Sequence, residues 1–200
     1  MARKRLTGAE RRERILDAAE AAFGERGYAG ASVGEIAEAA GITKPVLYDH
    51  FSSKHELFVA IMERARDELT ARGAAAMSQD APERERIRHA VEAFFDFVEE
   101  HPAAVRVLFA SPRETPELAA DSRRVQAEAT VRIAGTLSTT PQLARRRAPV
   151  PELYGEFLKA GLHALAEWWM QHPDVPRRRI VDAGVDMVWG ALGEGASAQP

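Results

Sequence analysis

Apolar residues recur at three- and four-residue spacing along most of this chain, the period of one helix face, and nothing reads as a strand. Thr7 with Glu10 forms a capping box ahead of the stripe Ile15, Ala18, Ala19, Ala22 and Phe23, and Gly27 closes that helix. Ser32 with Glu35 opens a second helix, whose apolar positions are Val33, Ile36, Ala37 and Ala40. Gly41 ends it, since a left-handed backbone costs glycine nothing. Thr43 is placed to cap a third helix, in which Pro45 is tolerated because first-turn N–H groups have no helical partner. Leu47 and Phe51, four apart, bury one side of it and leave Lys44, Val46, Tyr48, Asp49 and His50 on the others. Ser53 with Glu56 starts a long fourth helix through Leu57, Phe58, Ile61, Ala65 and Leu69 to Met77. Helix, glycine-containing turn, helix is the geometry of a DNA-reading helix-turn-helix.

The rest of the chain is also helical but punctuated differently, with ten of its eleven prolines from Pro82 onward. Ile87, Ala90, Val91, Phe94, Phe95 and Val98 form a wide stripe, and Pro102 permits a short helix to Ala110 before a break at Ser111-Pro112. Leu118, Val125, Ala129 and Ile133 line a helix from about Pro116 to Leu137; Thr139 to Val150 is a loop carrying Arg145, Arg146 and Arg147. Two last helices, from Leu153 to Trp169 and from Ile180 to Leu192, are apolar on more than one side. A surface helix needs only one such stripe, so the second side calls for a further partner or a thicker core.

Composition sets the cellular frame. The chain has no cysteine, which excludes disulfides and thiolate metal sites and fits a reducing cytoplasm. MARKRL is basic but no apolar segment follows it, so no signal peptide is expected; the run Leu57 to Met62 is far short of a membrane span. A net charge of −3 argues against nucleic-acid binding until its distribution is read. Residues 1–55 hold nine Lys/Arg against eight Asp/Glu, and residues 56–200 hold eighteen against twenty-two. Residues 1–14 alone carry six basic and two acidic side chains, so positive charge is local, as suits a small module docking on phosphates.

From Arg11 to Ile61 the sequence resembles the DNA-binding domain of the TetR family of bacterial transcriptional regulators. The resemblance rests on Ala18, Ala19 and Phe23, Gly27-Tyr28, Val33-x-x-Ile36-Ala37, Ala40-Gly41-Ile42, Leu47-Tyr48-x-His50-Phe51 and Lys54-x-x-Leu57. It implies an all-α protein with an N-terminal three-helix DNA-binding domain, residues 1–55, and a C-terminal helical effector-binding and dimerisation domain, residues 56–200. It also implies a DNA face made of Thr43, Lys44, Pro45, Val46, Tyr48 and His50. Lys44 would donate to guanine, and Pro45 or Val46 would touch a thymine methyl. Tyr48, His50, Lys54 and the Ser32 hydroxyl would hold phosphates. Asp49 departs from this pattern; it either points away or accepts from a cytosine amino group. Arg3, Lys4 and Arg5 are either a minor-groove arm or a solvated tail.

The resemblance further implies a homodimer, a near-palindromic operator and release by a small-molecule effector, hence a repressor. Met77, His89, Phe94, Phe95, Phe97, Arg106, Leu108, Phe109, His163 and Trp168 are the candidates for the effector site. Leu158, Gly161, Leu162, Leu165, Trp169, Val181, Gly184, Val185 and Val188 are the candidates for a four-helix dimer interface. No cofactor is expected, and no metal, because His163 and Glu167 have no third ligand spaced to join them. Two other classes stay open: a DNA-binding activator or architectural protein whose second domain meets a protein, and an all-α enzyme or carrier, for which no catalytic constellation is present.

Overall fold

The structure, a computed structural model, describes residues 7–110, 112, 114–141 and 143–193. Arg3, Lys4 and Arg5 lie outside them. Among the described residues the chain forms nine α-helices and no strand: α1 Gly8–Gly30, α2 Val33–Ala39, α3 Lys44–Tyr48, α4 Lys54–Met77, α5 Glu83–Glu100, α6 Pro102–Leu108, α7 Pro116–Leu137, α8 Val150–Met170 and α9 Arg177–Gly193. The protein is all-α, as the periodicity predicts.

These helices make two compact units, and neither is continuous in sequence. One takes the described residues up to Arg66 together with His101–Val125; the other takes Asp67–Glu100 and the described residues from Gln126 onward. A single cut after residue 55 does not describe this division. The reason is local packing: α6 lies so close along α1 that a methyl group added at Gly24 would sit 2.6 Å from the Ala103 Cβ, and the Arg106 guanidinium donates to the Gly24 carbonyl at 2.7 Å.

In the first unit the predicted stripes face inward. Ile15, Ala19, Ile36, Leu47, Leu57 and Ile61 are fully buried, and Phe23 and Phe58 meet edge to face at 5.1 Å. Each buried Ile, Leu or Phe among them contributes about 1.5–3 kcal/mol over its exposed state, so the helix starts are held from below by the core. Gly27, at φ +69°, breaks the helical backbone inside α1, where the chain was expected to stop. Arg64 on α4 binds Glu20 at 2.7 Å and Asp17 at 2.8 Å on α1.

In the second unit α9 lies along α5. Val91 comes within 3.1 Å of where a Gly184 Cβ would be, and Arg88 pairs with Asp182 while Arg84 pairs with Asp186, each at 2.8 Å. The start of α8 lies against α7: Gly155 admits the Thr130 carbonyl at 3.0 Å from its missing Cβ. Phe95 and Trp169 close the core edge to face at 5.6 Å, and the Trp169 indole N–H donates to the Val175 carbonyl.

Candidate nucleic-acid interface

Local chemistry aims α2 and α3. Gly41 takes φ +68° between them, and the Ile42 N–H returns to the Ala37 carbonyl at 3.0 Å, which fixes the turn. Leu47 and Phe51 are buried beneath α3, with the Arg12 guanidinium 4.6 Å from the Phe51 ring centroid. What remains outward is Thr43, Lys44, Pro45 and Tyr48, all exposed, with Val46 and His50 half-buried. The Lys44 ammonium hovers 5.9 Å from the Tyr48 ring centroid, a loose contact that leaves its donors available.

Four helix starts in this unit were expected to be capped by hydroxyls, and they divide in two. Thr7 accepts from the Glu10 N–H while Glu10 reaches back, a complete capping box. Ser53 accepts from the Glu56 N–H, but the Glu56 carboxylate goes one residue further, to the Ser52 N–H and hydroxyl, whose hydrogen bonds hold it below the usual carboxylate range. Ser32 and Thr43 make no side-chain cap bond at all, and Glu35 is taken instead by Arg26. The box expected at Ser32 is therefore absent, because a guanidinium from α1 outcompetes a neutral N–H for the carboxylate. Both uncapped starts belong to the helix-turn-helix. Ser32 and Thr43 are exposed, with hydroxyls free of any cap bond.

Lys54 is more engaged than expected. Its ammonium stands 4.7 Å from the Tyr28 ring centroid and donates to the Ala29 carbonyl at 3.3 Å. Burial lowers its pKa, and Glu114 partly offsets that. Two residues absent from the expected site come close to it: Arg12 on Phe51, and Arg14, 3.6 Å from where a Gly41 Cβ would lie. The signal for both was the cluster of arginines ahead of the first apolar stripe.

The expected effector set does not gather in one unit. Met77, Phe94, Phe95 and Phe97 are buried in the second unit, with His89 and His163 half-buried there. Burial pulls the His163 imidazole below its ordinary value, against Glu167, which raises it. The His89 Nδ1 is buried without a hydrogen-bond partner among the described residues. Arg106, Leu108 and Phe109 belong to the first unit, where Arg106 ties α6 to α1. Trp168 points outward at 45% exposure and stacks on His172 at 4.0 Å.

The expected interface residues differ more sharply. Val181, Gly184, Val185 and Val188 are buried inside the chain, as are Leu158 and Trp169, while Leu162 and Leu165 are half-buried. Only Gly161 of the nine is exposed. The physical reason is that α5 consumes the richer stripe of α9, which periodicity alone cannot assign to one partner or another. The apolar side chains left outward on these helices are Leu153, Phe157, Trp168 and Met187, between 45% and 63% exposed. Among the described residues no group of three His, Asp or Glu is placed to hold a metal, and no helix is long and apolar enough to cross a membrane.

Comparison with known proteins bears on this geometry at two levels. Residues 15–61 match the profile described as bacterial regulatory proteins, tetR family, and residues 72–199 match the tetracyclin repressor-like C-terminal domain. The chain is similar to the HTH-type transcriptional activator FasR of Mycolicibacterium smegmatis, with 35% identity over 94% of this chain and 85% of that protein. It is also similar, at 37% identity over 48% of each chain, to the HTH-type transcriptional repressor KstR2 of Mycobacterium tuberculosis. Among solved structures, a TetR-like transcriptional regulator from Rhodococcus sp. RHA1 superposes with a TM-score of 0.70 at 27% identity, covering 98% of this chain and all of that one.

Proposed function

The chain belongs to the TetR family of bacterial transcriptional regulators, and on that premise we propose that it reads a near-palindromic operator as a cytoplasmic homodimer and changes its grip when a small apolar effector binds the C-terminal region. Its relatives are regulators rather than enzymes. One observation carries the DNA reading. Of the helix starts in the first unit where a hydroxyl is placed to cap, the two left without a side-chain cap bond are those that open the two helices of the helix-turn-helix.

In this reading Ser32 and Thr43 hold phosphates through hydroxyl and backbone N–H together. Lys44 donates to a guanine edge, with Pro45 and Val46 against methyl groups. Tyr48, His50 and Lys54, and beside them Arg12 and Arg14, fix register on the backbone. Two such heads must stand about 34–36 Å apart to enter successive major grooves of one operator. An effector acts only through its differential affinity for the state that has this spacing. The aromatic residues of the second unit, Phe94, Phe95 and Phe97, support an apolar ligand.

The sign of regulation has two readings. Repression is supported by KstR2, which matches about half of this chain; activation is supported by FasR, which matches nearly all of it. Selection of bound duplexes from random DNA, repeated with and without a panel of small apolar molecules, tests the proposal. An enriched inverted repeat that is lost or gained with one class of molecule is the expected result. No enrichment overturns the DNA reading, and unchanged operator affinity at ligand saturation overturns the effector reading. Placing the selected site upstream of a reporter then separates repression from activation.

A further inference from the structure

Lys54 opens α4, and its ammonium is held by two neutral groups, the Tyr28 ring at 4.7 Å from the centroid and the Ala29 carbonyl at 3.3 Å. Arg26 and Arg64 of the same unit are held by carboxylates instead, Arg26 by Glu35 and Arg64 by Asp17 and Glu20. A carboxylate cancels the charge of the cation it holds, whereas a ring face and a carbonyl orient a cation and leave its net charge whole. An ammonium also has three donors, so one that binds a single carbonyl keeps donors for an incoming oxygen.

Both neutral partners follow a break in α1. Gly27 takes φ +69°, and a side chain added there would meet nothing within 4 Å, so only the backbone angle calls for glycine. The next two residues, Tyr28 and Ala29, supply the ring and the carbonyl that meet Lys54. The core fixes the ring in turn. Phe23 lies parallel to it at 6.0 Å, and Phe58, one helical turn after Lys54 on α4, meets it edge to face at 5.2 Å. Burial first, and Glu114 second, raise the Tyr28 hydroxyl above its ordinary value, so the ring stays uncharged at neutral pH. Its partner is therefore held without being neutralised.

We infer that Tyr28 is a positioning residue for DNA binding, whose ring holds the Lys54 ammonium in place, with its charge intact, for a backbone phosphate. This rests on the reading of Lys54 as a phosphate contact and goes beyond it in naming what places the lysine. A free lysine side chain gives up rotamer freedom when it meets a phosphate. One already held on a ring gives up less, so more of the contact is left as affinity.

The test reads the affinity of the full-length chain for the duplex selected above, as a function of salt. Lys54→Ala should lower the salt slope by about one unit. An unchanged slope overturns the phosphate reading, and this inference with it. Tyr28→Leu should weaken binding about fivefold, and Tyr28→Phe, which keeps the ring, should leave it unchanged. In the Lys54→Ala chain, Tyr28→Leu should cause no further loss. An equal loss with and without Lys54, in chains where Lys54→Ala keeps its effect on the slope, makes Tyr28 a packing residue and overturns this inference alone. Tyr28→pentafluorophenylalanine serves where Tyr28→Leu fails to fold, because it keeps a ring of similar shape and reverses the charge distribution of its face. It should weaken binding as Tyr28→Leu does, and full affinity in that variant removes the role given to the ring.

Discussion

Outward on α3 stand Lys44, Pro45 and Tyr48, beside the uncapped hydroxyls of Ser32 and Thr43; outward on α8 stand Leu153, Phe157, Gly161 and Trp168. Both helices bury one stripe of their own chain, Leu47 in one case and Leu158 with Ala166 in the other. They differ in what is left over. The first leaves donors without partners, which attract an anion, and the second leaves apolar surface, which attracts another apolar face. An unspent chemical capacity on an otherwise settled helix identifies the kind of partner better than the residues that are already engaged.

The comparison breaks most readily at Phe157. Phe157→Asp should weaken dimerisation by at least about thirtyfold, and operator binding with it, while leaving the thermal unfolding of the subunit nearly unchanged. Sedimentation equilibrium and calorimetry read the two separately, and a variant that unfolds would move Phe157 into the core. Val185→Ala should do the reverse, because Val185 is fully buried: about 2 kcal/mol of stability lost with dimer affinity kept. Lys44→Ala should cost about 1–3 kcal/mol at particular base pairs and relax their preference, whereas Lys54→Ala should weaken all sequences alike and lower the salt slope by about one unit. Equal behaviour in a titration across operator variants would erase the division between reading and positioning residues.

A smaller contrast lies within the first unit. Thr7→Ala should cost about 1 kcal/mol of stability by removing a cap, while Ser32→Ala, which removes no cap bond, should leave stability and lower DNA affinity severalfold. The smallest effect belongs to the second unit. His163 titrates below its ordinary value in the folded chain, so the unfolded chain takes up a proton first as pH falls. Stability present at neutral pH should therefore fall as pH passes through about 6.5 and level off once the native imidazole is also protonated. His163→Gln should remove that slope from urea titrations between about pH 7 and 5.

How much the sequence determines depends on how local the cause is. The helices, the turn at Gly41 and the kink at Gly27 are legible because each rests on a few neighbouring residues. The capping box at Thr7 is legible for the same reason. The one expected at Ser32 is not, because Glu35 has a competitor, Arg26, nine residues away in sequence and on another helix. Periodicity likewise marks α8 and α9 as apolar on more than one side, but the depth of Val181 and Val185 comes from α5, some ninety residues earlier in the chain. Arg106, a candidate ligand contact by composition, becomes a tie to Gly24 for an equally distant reason. The sequence alone determines the all-α architecture and the residues that α3 presents outward. Tertiary structure decides which of several equivalent stripes is consumed at home and which is left for a partner, because burial is a competition among distant segments that no local pattern records.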